Sequence, residues 1–352
     1  MKRMDEVEPF INDSSTLHRH LNEQEKLDMQ VKGRNILFSK PWYSYTMVVV
    51  VNILFLWIYI SYIYNFVIPW VFYLERYYGI LFLIILTVFV SLSYYSYYKC
   101  VTTHPGLVPA AWGVSETEVE AIRAEEQERA EVMERNESVL QTATPPLQDH
   151  YRYSLERTRA DSLRLCLSCK QRKPDRTHHC RQCGVCILKM DHHCHWFNNC
   201  IGYYNYKYFN LFIVWTVAAT LFLVTTMTRS FVEIFTYNKM DGFNFADANI
   251  IAVYFVSLFF GFSLVFFGLY HLKLILDGTT TIESLEKQKK LYAQHRCNPY
   301  DLGVTKNWAA VFGDKWYYWF LPTLRSVNGD GVHFEVSLMA DAPQLQNIVV
   351  QE

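Results

Sequence analysis

Seven of the nine cysteines fall between Cys166 and Cys200, interleaved with five histidines. The order is Cys166-x2-Cys169, then His178-His179-Cys180, Cys183 and Cys186, then Asp191-His192-His193-Cys194-His195-Trp196, and last Cys200. Thiolate sulfur and imidazole nitrogen are the ligands zinc takes, and a C-x2-C turn brings two sulfurs to one cation without strain. Cys166/Cys169, Cys180/Cys183 and Cys183/Cys186 all have that spacing. Two four-coordinate zinc sites need eight ligands, and seven Cys with five His supply more than that. A thiol and an imidazole can be left over, and a spare Cys beside a spare His is a nucleophile with its base. Spacing alone does not say which Cys is spare. The competing disulfide framework needs an oxidising compartment.

The remainder of the chain must position this segment, and it reads as membrane protein. Half of the residues (51%) are hydrophobic and the formal net charge is −1, without the basic excess of a nucleic-acid binder. The apolar residues gather into four runs, 45–69, 79–98, 209–228 and 250–276. Each approaches the ~20 residues that cross a bilayer core. Lys and Arg number seven in 1–44, fifteen in 99–207 and eight in 273–352, whereas the connectors 70–78 and 236–249 hold only Arg76 and Lys239. The positive-inside rule then places both ends and the large central loop in the cytosol, where thiols stay reduced. Arg229, at the far end of the third run, can snorkel to the opposite headgroups. The opening residues are polar, with Asp5, Glu6 and Glu8, so the first run is expected to be a retained span.

Outside the spans the expected organisation is a cytosolic N-terminal segment at 1–44 and a linker at 99–160. That linker carries a charged helix near 116–136 and a Pro145-Pro146 break. The cysteine-rich domain occupies 161–208, a cytosolic C-terminal domain 277–336 and a flexible tail 337–352. Trp308 to Pro322 is aromatic and amphipathic, suited to a membrane surface. Cys100 and Cys297 stand apart and read as free thiols.

The cysteine segment resembles the DHHC-type protein S-acyltransferases (palmitoyltransferases). The match runs through Pro174, Arg176, His178-His179-Cys180, Asp191-His192-His193-Cys194, Trp196, Asn199-Cys200-Ile201-Gly202, Asn205 and Phe209. It continues in His104-Pro105-Gly106, similar to the family's Asp-Pro-Gly element, and in Thr280-Thr281-Ile282-Glu283, similar to its Thr-Thr-x-Glu motif. Asn298-Pro299-Tyr300 through Asn307-Trp308 resembles its C-terminal element. Two departures stand out: His195 replaces the Pro that usually follows the DHHC cysteine, and His104 replaces Asp.

The resemblance implies an all-α polytopic membrane protein with four transmembrane helices. A cytosolic zinc-binding cysteine-rich domain of short β-hairpins lies between helices 2 and 3. It implies one structural zinc on Cys166, Cys169, His179 and Cys186, and a second on Cys180, Cys183, His193 and Cys200. Cys194 is then the nucleophile, His192 its base and Asp191 the group that orients His192. The implied substrates are long-chain acyl-CoA, palmitoyl-CoA above all, and cysteine-bearing proteins facing the cytosol. An endomembrane, most commonly the Golgi, is the family's address. The acyl chain would lie between the helices, near Trp196, Phe212, Trp215 and Ala219, and small Ala218 and Ala219 would admit chains longer than palmitoyl. The alternative for these alanines is close helix packing. Lys173, Arg176 and Lys189 are candidates for CoA phosphates, against a solvated face. Thr280, Thr281, Glu283 and Asn307 are expected to give structural support through packing. His195 is expected to alter the rate as a competing base. The competing class is a membrane-anchored zinc-binding interaction module, such as a RING-like ligase, in which every cluster thiol would bind metal.

Overall fold

The computed structural model describes residues 28, 31–33, 40–73, 76–135, 164–236, 244–287, 298–324 and 329–337. Cys297, Lys239, the Pro145-Pro146 break, residues 338–352 and most of the first forty residues lie outside the described residues. Four helices are long and apolar enough to cross a membrane. They are α1 (Trp42–Phe72), α2 (Arg76–Thr102), α4 (Tyr206–Thr236) and α5 (Phe245–Leu276). A separate polar helix, α3 (Glu116–Arg135), follows α2. At 1.5 Å per residue the apolar helices are about 40–48 Å long, more than the ~30 Å hydrocarbon core. Their outward faces carry Leu56, Ile84, Phe259, Phe262 and Phe266, all exposed. Such a surface has no place in water, and in lipid it meets its own kind. The protein is an integral membrane protein.

Local features follow from sequence. In α1 the five residues Ile63–Val67 widen into a π-turn just before Pro69, whose missing N–H and ring disrupt regular helix pairing. Asn244 caps α5: its side chain accepts from the Ala246 and Asp247 N–H groups, and Asp247 accepts from the Asn244 N–H. α4 and α5 approach closely at Gly261, where an added Cβ would come within 2.8 Å of Thr220 Oγ1.

Between α2 and α4 lie three antiparallel hairpins. β1 (Leu165–Cys166) pairs with β2 (Gln171–Arg172), β3 (His178–Cys180) with β4 (Val185–Ile187), and β5 (His192–Cys194) with β6 (Asn199–Ile201). Strands this short cannot stand alone, so something else must hold them. The Cys166/Cys169 turn is followed by a left-handed residue, Lys170 (φ 48°), and the Cys180/Cys183 turn by another, Gly184 (φ 68°). The hairpins are tied to the end of α2. Asn199 Nδ2 donates to the Cys100 and Thr103 carbonyls at 3.0 and 2.9 Å, answering acceptors a helix end leaves open. Pro105 and Gly106 accept from the Tyr204 and Leu188 N–H groups, so His104-Pro105-Gly106 pairs with the hairpin layer. Two short helices complete the described fold, α6 (Thr281–Lys287) and α7 (Val304–Phe312). Lys207, 2% exposed at the start of α4, anchors this end by donating to the Phe312 and Tyr318 carbonyls.

Candidate active site and metal centres

Strand alternation sorts the ligands. Successive side chains point to opposite faces, so His179 leaves β3 on one side and Cys180 on the other. The register places His179 opposite Cys186 and His193 opposite Cys200. Two groups of four result: Cys166, Cys169, His179 and Cys186, and Cys180, Cys183, His193 and Cys200, each able to hold a metal ion. Around His179 Nδ1 the sulfurs of Cys169, Cys166 and Cys186 stand at 3.3, 3.5 and 3.9 Å. Around His193 Nδ1 those of Cys183, Cys180 and Cys200 stand at 3.4, 3.5 and 3.5 Å. A tetrahedron with Zn–S of about 2.3 Å and Zn–N of about 2.1 Å has edges of about 3.6 Å. The donor sets therefore fit zinc in type, number and spacing, and both are closed sites without an open coordination position. Cys183 and Cys200 sulfurs are 3.5 Å apart, far beyond a disulfide.

The same alternation puts His192 and Cys194 on the face of β5 opposite His193. Cys194 belongs to neither group of four. His192 Nδ1 donates to Asp191 Oδ2 at 2.7 Å, and Cys194 lies two residues on, on the same face of β5. With Nδ1 committed to the carboxylate, Nε2 is free to take a thiol proton. Burial opposes the charged imidazole, yet the Asp191 carboxylate bonded to it and the nearby Cys194 sulfur outweigh burial and raise His192 to about 9. Burial would likewise raise Asp191, but the His192 bond and charge together with the Thr281 N–H hold it below its ordinary value.

Asp191, 1% exposed, is held from α6. The Thr281 N–H donates to Oδ1 at 2.9 Å, and Thr281 Oγ1 donates to Oδ2 at 2.8 Å. Thr280 and Glu283 make a reciprocal box at the start of α6, at 2.8 and 3.2 Å. Thr281 thus touches the candidate catalytic carboxylate, a closer part than the packing role expected of it. Asn307 accepts from the Leu302 N–H and donates to Leu276 O, fixing the end of α5.

Two expectations require correction. Arg176 is no phosphate contact. It is 4% exposed, its Nε and a terminal nitrogen each donate to Glu283 at 2.7 Å, and Tyr300 lies 4.4 Å below its guanidinium. A guanidinium so engaged holds the β3 turn to α6 and has no face left for a ligand. Trp215 does not line the cavity between the membrane helices. It stacks on Phe89 at 5.9 Å and donates from Nε1 to Phe320 O at 3.1 Å, linking α4 to α2 and to the C-terminal aromatic segment. Lys173 and Lys189 are half-buried, and the Lys189 charge acts on Glu283. His195 is exposed, with Nε2 at 3.2 Å from Gln182 Nε2. It takes no part in the His192–Asp191 contact.

From Cys194 a cavity of about 580 Å³ runs between the four membrane helices. Trp196 and Phe197 line it near Cys194, Phe212 and Ala219 along α4, and Leu223 and Ser257 further in. From Phe209 to Leu223 the cavity follows about 21 Å of helix. Its volume is in the range of ligand pockets. Ala218 is not part of its lining.

Four membrane helices, two closed Cys3His donor sets and a cysteine lining a membrane cavity define a membrane protein with a zinc-finger-like hairpin layer, and comparisons with known proteins give its family. The DHHC palmitoyltransferase family profile matches residues 159–288. The chain is 33% identical over 272 residues to human palmitoyltransferase ZDHHC20, covering 77% of this chain and 71% of that protein. It is 35% identical over 243 residues to the Arabidopsis thaliana probable protein S-acyltransferase 14, covering 68% and 71%. With zebrafish palmitoyltransferase ZDHHC2 identity is 38% over 192 residues, 54% of this chain and about half (52%) of the relative. The chain belongs to the DHHC palmitoyltransferase family.

One residue beside the site escaped the sequence reading. His271 of α5 is 1% exposed, and it forms with Asp191 and His192 a group whose ligand atoms all lie within 4.8 Å. A histidine inside an otherwise apolar run was the available signal.

Proposed function

We propose that this protein is a protein S-acyltransferase that carries a long-chain acyl group, palmitoyl above all, on Cys194. The observation that carries the reading is Cys194 itself: outside both ligand sets, on the same strand face as His192, and lining the apolar cavity. His192 takes the Cys194 proton and Asp191 steadies the resulting imidazolium. The Cys194 sulfur attacks the thioester carbonyl of acyl-CoA. The bond from carbonyl carbon to CoA sulfur breaks, and CoA leaves as the thiol with the proton from His192. A cysteine thiol of a target protein then gives its proton to His192 and attacks the acyl-Cys194 carbonyl; the bond from carbonyl carbon to Cys194 sulfur breaks, and Cys194 leaves as the thiol with the proton from His192. One thioester replaces another at each step, so positioning and proton transfer are what the site must supply. The acyl chain, each buried methylene worth about 0.8 kcal/mol, lies in the cavity. Zinc supplies rigidity to hairpins too short to persist alone, and no step passes through it.

The hairpins face the cytosol in this reading, where acyl-CoA and target proteins are met, and an endomembrane such as the Golgi is the compartment. Lys173 and Lys189 remain the candidates for the CoA phosphates. A RING-like module would use all the cluster thiols as ligands, and Cys194 stands apart from both sets. To test transfer, the enzyme is preloaded with labelled palmitoyl-CoA, freed of excess donor and mixed with a cysteine peptide. Label passing to the peptide supports a transferase. Label lost only as free fatty acid makes the protein a hydrolase.

A further inference from the structure

Behind the Asp191–His192 pair stands an imidazole contributed by a membrane helix. The His271 ring is edge-on to Phe209 at 4.8 Å and to Phe267 at 4.6 Å, with interplanar angles of 75° and 80°. The Tyr206 hydroxyl is 3.2 Å from His271 Nδ1. The His192 ring is 6.0 Å away, centre to centre, tilted by 43°. One ring nitrogen of His271 lies within 4.8 Å of an Asp191 oxygen and a His192 nitrogen. That span exceeds a direct hydrogen bond and suits one bridging water.

A buried imidazole has two polar atoms to satisfy. Tyr206 answers Nδ1, which leaves Nε2 for the Asp191–His192 side. Beside a carboxylate the favoured arrangement is a donor, so the Tyr206 hydroxyl donates to Nδ1 and His271 carries its proton on Nε2. A neutral donor also suits the chemistry, since a cation here would repel the imidazolium that forms on His192.

We propose that His271 is a positioning residue for acyl transfer. Its Nε2–H, oriented by Tyr206, holds the Asp191 carboxylate through a water and so fixes the His192 ring toward Cys194. The inference rests on the acyl-transfer reading. It gives the fourth membrane helix a direct part in the geometry of the proton transfer.

The test uses the full chain in detergent. The rate of self-acylation at saturating palmitoyl-CoA and the half-saturating concentration are measured, with zinc content and thermal midpoint. His271→Phe keeps a ring against Phe209 and Phe267 and removes both nitrogens. Its saturating rate is expected to fall about 10- to 100-fold, with half-saturation, zinc and midpoint unchanged. His271→Gln, with a donor and an acceptor, recovers much of the rate. Tyr206→Phe slows the wild type and has no further effect in the His271→Phe background. His271→Phe at the wild-type rate overturns the inference. So does His271→Gln as slow as His271→Phe, which would make the role one of packing. Should His271→Phe fail to fold, Tyr206→Phe at the wild-type rate overturns it equally. A zinc-loaded wild type that takes no label overturns the acyl-transfer reading, and the inference with it.

Discussion

Thr281→Val removes one hydrogen bond to a buried carboxylate and changes little else. Thr281 reaches Asp191 twice, by its hydroxyl at 2.8 Å and by its N–H at 2.9 Å. Valine keeps the branched shape and the N–H and loses only the hydroxyl. Asp191 is 1% exposed, so bulk water does not replace the lost donor. A hydrogen bond to a charged group contributes about 1.5–3 kcal/mol. If that loss falls on the step in which His192 becomes charged, the rate drops about 10- to 150-fold, at 1.36 kcal/mol per tenfold. The assay is the time course of self-acylation at saturating palmitoyl-CoA. Thr281→Ser, which keeps the hydroxyl, is the control and is expected to stay close to wild type. Valine at the wild-type rate, or serine as slow as valine, would refute the reasoning that Asp191 must be held from α6.

Glu283→Ala leaves the Arg176 guanidinium buried without its carboxylate, and is expected to cost about 3–5 kcal/mol in unfolding experiments. The double change Arg176→Met/Glu283→Leu should be more stable than Glu283→Ala, and equal or lower stability contradicts the pair's account. Elemental analysis should find two zinc ions per chain, and Cys183→Ala should lower that count and abolish self-acylation. Full activity of a metal-free protein would contradict the structural role. Ala219→Phe fills the cavity about 15 Å along α4 from Phe209. It should slow loading from palmitoyl-CoA more than from shorter acyl-CoA, and an unchanged chain-length profile would show that the chain lies elsewhere.

The elements that rest on local pattern were legible. Four apolar runs became four long helices, and repeated C-x2-C spacing became hairpins with two compact donor sets. What escaped depends on contacts between distant residues. A basic residue in a cysteine-rich loop reads as solvated, and only Glu283, 107 positions later, makes Arg176 a buried strut. Thr281 is 90 positions from Asp191, and no periodicity announces that the two meet. Trp215 is hard to place from sequence because α4 also turns apolar side chains outward, Val214 and Leu221 among them, so hydrophobicity alone does not tell the cavity face from the others. Cavity residues Phe212, Thr216, Ala219 and Leu223 follow a helical 3–4 spacing that Trp215 misses by one position. His271 stands in the sequence as one polar residue within an apolar span, and a titratable side chain in such a place calls for a partner that the sequence does not name.

The most direct measurement of the central claim is whether Cys194 carries the acyl group. The protein in detergent is incubated with labelled palmitoyl-CoA, treated with or without hydroxylamine, and compared with Cys194→Ser of equal zinc content. The account predicts hydroxylamine-sensitive label on the wild type and none on Cys194→Ser. Equal label on both, or none on a folded and zinc-loaded wild type, would contradict it.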